Sequence, residues 1–577
     1  MRQNWHLMVA MILATGLSSC GGNQGSVSSG TANNSNPVPS ISSISPASVQ
    51  SGGPDFTLVV NGSGFVPSSV VQWNGSNRTT TFANNTQLSA TITSADRNVP
   101  ANVEIDVSNP GPGGGVSNQA AFTVMSPPVQ GIGVMMMIST AVDGTPGNGN
   151  SYTPPAISAS GRYVAFQSDA SNIVSGAASG FTDIYVRDTC IGAPAGCSPT
   201  TARVSVATDG SLPNGNSRSP SISADGRYVA FDSSASNLVP GDTNGQSDVF
   251  IRDTCIGASS CVPTTFRVSV SSDGSEADND SRNASISASG RYVSFYSLAT
   301  NLVPDDSNGY MDIFVRDTCL GAAAGCVPST SRVSVASDGA QGNSDSFHQA
   351  ISGNGRFVAF KSFASNLVTG DTNGQPDVFV RDTCAGAIGC MPSTVRVSVA
   401  NDGTQANDHL DLLPAIDFVG RMVSFTSFAT NLVANDTNGV ADVFVRDTCG
   451  SAQPCTPSTF RASVAFDGSQ ANNGSTDPAL SADGRYVAFD SLATKLVPGG
   501  TSAPKSVFVR DTCFGATSCS PTTILVSCSS DGSIGNGESL DPALNSNGQY
   551  VVFLSNASNL LPSGSNGNYQ VWLARVY

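Results

Sequence analysis

A short pattern, Gly followed by Arg and then most often an aromatic residue, recurs seven times along this chain. Successive copies are 64 or 65 residues apart, and in the last copy Gln549 takes the place of the Arg. A period this constant indicates one supersecondary unit that is copied and stacked, because a single unit has an apolar face that it cannot bury alone. The copies begin at Gly161, Gly226, Gly290, Gly355, Gly420, Gly484 and Gly548.

The composition favours short strands over helices. Charged residues make up only 12% of the chain, whereas Gly and Pro number 59 and 32. The net charge of −16, from 26 basic and 42 acidic residues, argues against nucleic acid or an anionic membrane surface as a partner. The charge is better suited to a cationic ligand or a metal ion.

Each repeat reads as four antiparallel strands, here lettered a to d. In the second copy we predict strand a at 220–223, strand b at 227–233, strand c at 248–253 and strand d at 266–270. An Asp-Gly turn joins the first two strands. Four strands repeated seven times predict an all-β fold with a seven-bladed β-propeller.

The two ends of the repeat region predict how the ring closes. The last copy stops after its strand c, and an unmatched strand-like segment at 133–139 precedes the first copy. We therefore expect this N-terminal strand to complete the last blade, which removes two exposed sheet edges.

The repeats resemble a known propeller family. Residues 222–231, followed by 248–253, resemble the WD40-like (PD40) repeats of TolB-type propellers, and the likeness covers residues 131–577. The resemblance implies the propeller fold. It implies no particular function, because this architecture serves binding scaffolds and enzyme accessory domains alike.

A separate module of short alternating strands precedes the propeller. Residues 56–65, 70–75 and 103–110 resemble the IPT/TIG family of immunoglobulin-like domains. That likeness implies a β-sandwich that acts as a spacer or interaction domain. The predicted organisation is a signal peptide at 1–20, a flexible linker at 21–38, the IPT/TIG domain at 39–125 and the propeller at 126–577.

The first twenty residues are read as an export signal. Arg2 precedes an apolar run at 7–17 that is too short to span a bilayer. Residues 17–20 end in Cys20 and resemble a bacterial lipobox, which implies lipidation of Cys20 and an outer-membrane lipoprotein facing the periplasm or the exterior. The alternative is a plain secretory signal with an incidental Cys. Both place the protein outside the cytoplasm.

Twelve cysteines fall in six close pairs at equivalent places in the repeats. Six local disulfides formed in an oxidising compartment are the simplest interpretation, whereas a zinc site would need more than two thiols per loop. Cys528 is left over and is expected to be a buried, inert thiol. The predicted pairs are Cys190 with Cys197, Cys255 with Cys261, Cys319 with Cys326, Cys384 with Cys390, Cys449 with Cys455, and Cys513 with Cys519.

The topology assigns the loops to two faces. The a–b and c–d turns share one face with the disulfides, the "disulfide face", and the b–c and d–a loops share the opposite "loop face". On the disulfide face we expect Arg227, Asp253 and Arg267 to meet as a structural set that is repeated around the ring.

The b–c loops of four adjacent copies carry the pattern DxNGxxD. Oxygen ligands at alternate positions around a Gly turn are typical of calcium loops, so calcium is a candidate cofactor. The alternative is an Asn-Gly turn with an Asp capping the next strand, which the short spacing and the lack of a Glu favour. The candidate ligands are Asp242, Asn244, Asp248, Asp306, Asn308, Asp312, Asp371, Asn373, Asp377, Asp436, Asn438 and Asp442.

The d–a loops carry one recurrent Asn or Asp in each copy. We expect these side chains near the mouth of the central channel, either as turn caps or as a polar ring that binds a ligand such as a glycan. They are Asn148, Asn214, Asp278, Asn343, Asn407, Asn472 and Asn536.

Catalytic patterns are scarce. Beyond the leader the chain has only two histidines, His348 and His409, both expected in surface loops, and it has no GxSxG or HExxH motif. The sequence therefore predicts a non-catalytic envelope scaffold that binds a protein or a polysaccharide through the loop face. The alternatives are a polysaccharide-active enzyme that uses loop carboxylates and a purely architectural protein.

Overall fold

The computed structural model describes residues 35–50, 55–97, 101–125, 133–176, 178–450, 454–501 and 504–576. The chain divides into two compact units, residues 1–127 and 128–577. Cys20 and most of the predicted linker lie outside the described residues. Among those described, no helix is long and apolar enough to cross a membrane.

The first unit is an immunoglobulin-like sandwich of two β-sheets. Its strands are β1 (Ser40–Ser45), β2 (Ser48–Gln50), β3 (Phe56–Ser63), β4 (Val70–Trp73), β5 (Ser76–Asn77), β6 (Thr80–Asn84), β7 (Gln87–Ile92), β8 (Ala101–Asn109), β9 (Gly115–Val116) and β10 (Ala120–Met125), with a 3-10 turn at Ser94–Arg97. One sheet has the order β1-β3-β7-β6 and the other β2-β10-β8-β4-β5, with β9 beside β8. Leu58, Trp73 and Phe122 are among the side chains buried between them.

The second unit is a ring of seven four-stranded antiparallel sheets, which is the predicted propeller. Strands a to d of blades 1 to 3 are β12 (Ser151–Ile157), β13 (Tyr163–Ser168), β14 (Asp183–Asp188), β15 (Thr200–Arg203); β16 (Ser217–Ile222), β17 (Tyr228–Ser233), β18 (Asp248–Asp253), β19 (Thr264–Arg267); and β20 (Ser281–Ile286), β21 (Tyr292–Ser297), β22 (Asp312–Asp317), β23 (Ser329–Arg332).

Blades 4 to 6 repeat this arrangement, and blade 7 takes its strand d from the N-terminal side. Blades 4 to 6 are β24 (Ser346–Ile351), β25 (Phe357–Ser362), β26 (Asp377–Asp382), β27 (Ser393–Arg396); β28 (Leu410–Ile416), β29 (Met422–Ser427), β30 (Asp442–Asp447), β31 (Ser458–Arg461); and β32 (Ser475–Leu480), β33 (Tyr486–Ser491), β34 (Ser506–Asp511), β35 (Thr522–Leu525). Blade 7 is β36 (Ser539–Leu544), β37 (Tyr550–Ser555), β38 (Gln570–Arg575) and β11 (Val134–Met137).

The predicted closure of the ring by an N-terminal strand is confirmed. β11 runs antiparallel to β38, with Met135 opposite Ala574. Residues of blades 7 and 1, among them Leu573 and Phe166, share one apolar cluster. Similar clusters lie between the other neighbouring blades, so each sheet buries its faces against the next.

The repeated Gly-Arg-Tyr pattern belongs to this scaffold. Gly226 has φ +81°, and a Cβ atom there would collide with the ring of Tyr163 from the preceding blade. Only Gly meets both requirements. Arg227 donates through Nε and Nη2 to the two carboxylate oxygens of Asp253, at 2.8 and 2.7 Å, and its guanidinium lies over the ring of Tyr228.

Main-chain hydrogen bonds between the a–b turns complete a circle at the disulfide face. In each, a turn N–H donates to the turn carbonyl of the following blade, and the bond from Ser546 to Ala159 closes the circle at 3.3 Å. The donor and acceptor pairs are Ala159 and Ala224, Ala224 and Ala288, Ala288 and Gly353, Asn354 and Phe418, Phe418 and Ala482, Ala482 and Ser546, and Ser546 and Ala159.

Candidate functional site

All six predicted disulfides are present, one in each c–d connection of blades 1 to 6. Their thiols are therefore not ligands of a zinc ion. Cys528 is a buried free thiol, as predicted, and burial raises its pKa to about 12. A thiol with so high a pKa is a poor nucleophile.

The expected meeting of Arg227, Asp253 and Arg267 is half correct. Arg227 pairs with Asp253 on the disulfide face, but Arg267 does not join them. Strand d ends at Arg267 and pairs it with Phe250 in the middle of strand c, whereas the predicted strand began at 266. The side chain of Arg267 consequently bonds to residues of the loop face.

Arg267 lies among the oxygen atoms proposed as calcium ligands. Its Nη1 is 3.3 Å from Oδ1 of Asp242 and 3.2 Å from Oδ2 of Asp248, and it donates to Glu276 at 2.6 Å. Asn244 also donates to Asp248, at 3.0 Å. The same arrangement holds Arg332 with Asp306 and Asp312, Arg396 with Asp371 and Asp377, and Arg461 with Asp436 and Asp442, with Asn308, Asn373 and Asn438 in the place of Asn244.

One internal cation thus already offsets part of the negative charge of each DxNGxxD loop. Even so, burial and the neighbouring Asp248 carboxylate raise the pKa of Asp242 to about 6. Blade 6 has Ser506 and Leu525 where blade 2 has Asp248 and Arg267, so acid and base are lost together. This is expected of a buried pair, in which either charge alone is costly. Calcium binding stays a prediction.

The Asn and Asp residues of the d–a loops fasten loops to each other. Asn214 donates to Oγ of Ser236 at 3.0 Å and accepts from the Ser236 N–H at 2.8 Å, which ties the d–a loop to the b–c loop of the same blade. None of the predicted ring residues is among the residues that line the central cavity, and a ligand-binding ring at the mouth of the channel stays a prediction. The other Asn residues donate in the same way, whereas Asp278 accepts from the N–H and the hydroxyl of Thr300; these Asn residues are Asn148, Asn343, Asn407, Asn472 and Asn536.

The candidate site is the central cavity itself, which has a volume of about 560 Å³ and is lined by strand a of every blade. In six blades the third residue of this strand has a positive φ, between 51° and 58°. At this residue the register of the pairing between strands a and b shifts. Such backbone is uncommon for residues other than Gly and is found at functional sites. These lining residues are Thr153, Ser219, Asn283, His348, Asp477 and Asp541.

The sequence predicts His348 in a surface loop, and this expectation is wrong. His348 lies within strand a of blade 4, it lines the cavity, and its ring contacts that of Phe347 at 4.8 Å. His409 is exposed and bonds to Asp408 at 2.7 Å. No Gly or turn pattern marks the positive-φ residues, so nothing local in the sequence predicts that His348 lines the cavity.

Strand b of the preceding blade holds several of these residues in place. Asp232 accepts a bond from the N–H of Asn283 at 3.0 Å, and Asp490 accepts one from the N–H of Asp541 at 3.1 Å. The fifth residue of strand b thus supports the neighbouring lining residue. Across the seven blades this position is Gln167, Asp232, Tyr296, Lys361, Thr426, Asp490 and Leu554.

The wall formed by blades 2 and 3 is basic. Arg218 and Arg282 line the cavity there, together with the largely buried Asp232. Arg282 lies 2.9 Å from Asp280, whereas no described residue forms a hydrogen bond or ion pair with the Arg218 guanidinium. Burial raises the pKa of Asp232 to about 6.

The wall across the ring, from blades 6 and 7, is acidic. Asp477 and Asp541 line it, and Lys505 lies behind them, 2.8 Å from Asp490 and 3.7 Å from Asp477. Burial and the Asp477 charge raise the pKa of Asp541 to about 7, and no hydrogen-bond partner of its carboxylate is found among the described residues. Burial likewise raises the pKa of Asp490.

The lining differs from blade to blade, although the repeats are otherwise alike. The Arg and Asp of the disulfide-face ion pair are the same in blades 1 to 6. In contrast, the positions that face or support the cavity carry acidic, basic, aromatic, amide and apolar side chains. This variation between copies is the sequence signal that could have located the site.

Comparisons with known proteins bear mainly on the fold. The IPT/TIG domain model matches residues 39–124, so the N-terminal unit is an IPT/TIG domain. No curated protein matches the chain. A solved TIG domain from human nuclear factor of activated T-cells, cytoplasmic 4 is 24% identical over 17% of this chain and 95% of its own, with a TM-score of 0.14.

Other similar solved structures cover the propeller. An oligogalacturonate lyase in complex with manganese is 11% identical over 77% of this chain and 96% of its own, with a TM-score of 0.41. An auxiliary nutrient binding protein from Bacteroides thetaiotaomicron is 8% identical over 93% of this chain and 97% of its own, with a TM-score of 0.32. Identities this low indicate nothing about a shared ligand or activity.

Proposed function

We propose that the propeller is a non-catalytic binding module whose central cavity recognises a sugar that carries a carboxylate. The observation that supports this most strongly is the convergence of the side chains that differ between the repeats on one cavity with a basic and an acidic wall. A repeated scaffold needs identical residues, so positions that differ and share a cavity are those suited to recognition.

The two walls suit the two kinds of polar group on such a sugar. Arg218 and Arg282 offer guanidinium groups, which bind carboxylates with paired, charge-assisted hydrogen bonds. Asp477 and Asp541 offer oxygen atoms to hydroxyl groups. The cavity volume lies within the usual range of small-molecule sites, ~300–1,000 Å³.

We further propose that the protein is an outer-membrane lipoprotein, anchored through Cys20 after export, with TolB-type repeats. Its partner is then an envelope or extracellular polysaccharide. The lipobox-like residues 17–20 and the six disulfides support a location outside the cytoplasm. A Cys20→Ser variant is expected to leave the membrane fraction; continued membrane attachment would contradict the lipid anchor.

Ligand binding is tested by calorimetry with glucuronic acid, galacturonic acid and N-acetylneuraminic acid, with glucose as the uncharged comparison. At least one acid is expected to bind, and glucose is not. Arg218→Met and Asp541→Asn should weaken binding at least tenfold, or about 1.4 kcal/mol. Asp209→Asn alters an exposed turn carboxylate and serves as the control. Binding of no acid would remove the proposal.

Acid–base catalysis is the second candidate, and one observation favours it. The Asp541 carboxyl has a pKa of about 7 beside the carboxylate of Asp477, which is the kind of pair that general acid catalysis requires. Oligosaccharides that carry these acids are incubated with the protein, and the products are separated by mass. Cleavage that Asp541→Asn abolishes would replace the binding module with an enzyme.

A further inference from the structure

An arc of apolar side chains borders one half of the loop face. In blades 3 to 6 the residue that directly follows strand b is apolar, whereas in blades 7, 1 and 2 it is Asn556, Asp169 and Ser234. Three of the four are well exposed, at 40%, 49% and 45% for Leu298, Phe363 and Leu492. This apolar arc consists of Leu298, Phe363, Phe428 and Leu492.

The apolar arc is continuous with the central cavity at blade 4. The ring of Phe347 contacts His348 in the cavity wall at 4.8 Å and Phe363 at 5.8 Å. The ammonium group of Lys361 lies over both phenylalanine rings and donates to the carbonyl of Leu410 in blade 5. Phe347 therefore links His348 in the cavity wall to Phe363 of the apolar arc.

The next blade extends the same path. Phe428 stacks on His409 at 4.5 Å, with the two rings 19° from parallel. His409 is also bonded to Asp408, and both side chains are exposed. The Phe428 ring therefore lies next to exposed hydrogen-bonding groups. Each blade of the arc thus presents one apolar platform, and the polar ends of the d–a loops lie close to it.

We propose that the apolar arc binds the neutral sugars that follow the acidic sugar, so the ligand is a glycan chain capped by a carboxylate. This inference rests on the proposed function of the cavity. The apolar face of a sugar ring packs on an aromatic or aliphatic side chain while its hydroxyl groups bond at the edges.

Charge and spacing favour this occupant. The chain carries a net charge of −16, and Lys361, the cation beside Phe363, is buried and donates to the Leu410 carbonyl, so the arc favours neutral sugars over a polyanion. A protein partner would need a continuous apolar core within about 800 Å² on its side. The arc instead offers separate platforms, one per blade.

The experiment compares three probes for each acid: the free acid, an oligosaccharide of at least four neutral sugars that ends in that acid, and the same oligosaccharide without it. For at least one acid, the capped chain should bind about tenfold more tightly than the free acid, or about 1.4 kcal/mol. The double variant Phe363→Ala with Phe428→Ala should remove this gain and leave binding of the free acid unchanged.

The matched control is Phe181→Ala. Phe181 is a phenylalanine on a b–c loop, 40% exposed, but it belongs to blade 1 outside the arc. Equal loss of the gain in this variant would overturn the inference, as would equal affinities for the free acid and every capped chain. Binding of no acid at all would instead refute the proposed function of the cavity.

Discussion

The two faces of the propeller both carry arginine–aspartate ion pairs, yet they differ in what surrounds them. On the disulfide face each pair is a two-residue bridge with about 29% of the Arg227 side chain exposed. On the loop face Arg267 is only 10% exposed and is shared between several carboxylates. Between the faces, the lining of the cavity changes from blade to blade. The residues of the scaffold are thus repeated from blade to blade, whereas the residues of the candidate site differ between blades.

The largest effect is expected where the ring is joined. Met135→Lys places a charge in the buried cluster between blades 6 and 7, and it should lower the free energy of unfolding by more than about 4 kcal/mol. Chemical denaturation measures the change. The control is Val134→Lys, next to it but 40% exposed, with an expected change within ~0.5 kcal/mol. Equal effects would mean that β11 is not a structural part of blade 7.

The comparison of the two faces can be tested by removing one arginine from each. Arg267→Met leaves buried carboxylates without their cation and should cost about 3–5 kcal/mol, whereas Arg227→Met breaks a partly exposed pair and should cost about 1 kcal/mol. Calcium should raise the melting temperature of Arg267→Met, since the oxygen ligands are then free, and leave the unmodified protein within about 1 °C. A large calcium shift in the unmodified protein would instead support the predicted calcium loops.

Substitution of two glycines distinguishes the cost of backbone strain from the cost of a clash between blades. Gly226→Ala meets a left-handed backbone and the ring of Tyr163 and should cost about 3 kcal/mol. Gly210 has φ +86° with open space around it, so Gly210→Ala should cost only about 1 kcal/mol. Similar losses in thermal or chemical unfolding would show that Tyr163 does not press on this turn.

The protonation of the cavity makes the stability of the fold depend on pH. The folded protein raises the pKa of Asp541 from 3.8 to about 7, so between these values it holds a proton that the unfolded chain has released. Stability should therefore fall as the pH rises from ~4 to 7. Asp541→Asn should flatten that fall, measured by denaturation across this range. In the Asp541→Asn variant, Asp232 and Asp490 should still make the free energy of unfolding depend on pH. If the variant and the unmodified protein show the same dependence, Asp541 is exposed to water.

The sequence was sufficient for the scaffold because the scaffold is repeated. The Gly-Arg-Tyr pattern predicted the blades, and the cysteine pairs predicted the disulfides. The last repeat, split between the two ends of the repeat region, predicted how the ring closes. Arg267 was misplaced because the strand d boundary differed from the predicted one, which put its side chain at the other face. His348 and Asp541 were missed as cavity residues because no Gly or turn pattern marks their positive φ, and Asp541 is also held by Asp490 from strand b of the neighbouring blade.

The circle of main-chain hydrogen bonds at the a–b turns has a consequence for how such a protein can change. Main-chain groups form every link, and residues as different as Ala224 and Phe418 take part; at the closing link the Ser546 Oγ also donates to the Ala159 carbonyl, at 2.9 Å. Substitutions at the cavity-lining positions of strand a can therefore change the chemistry of the cavity while this circle of bonds keeps the ring closed.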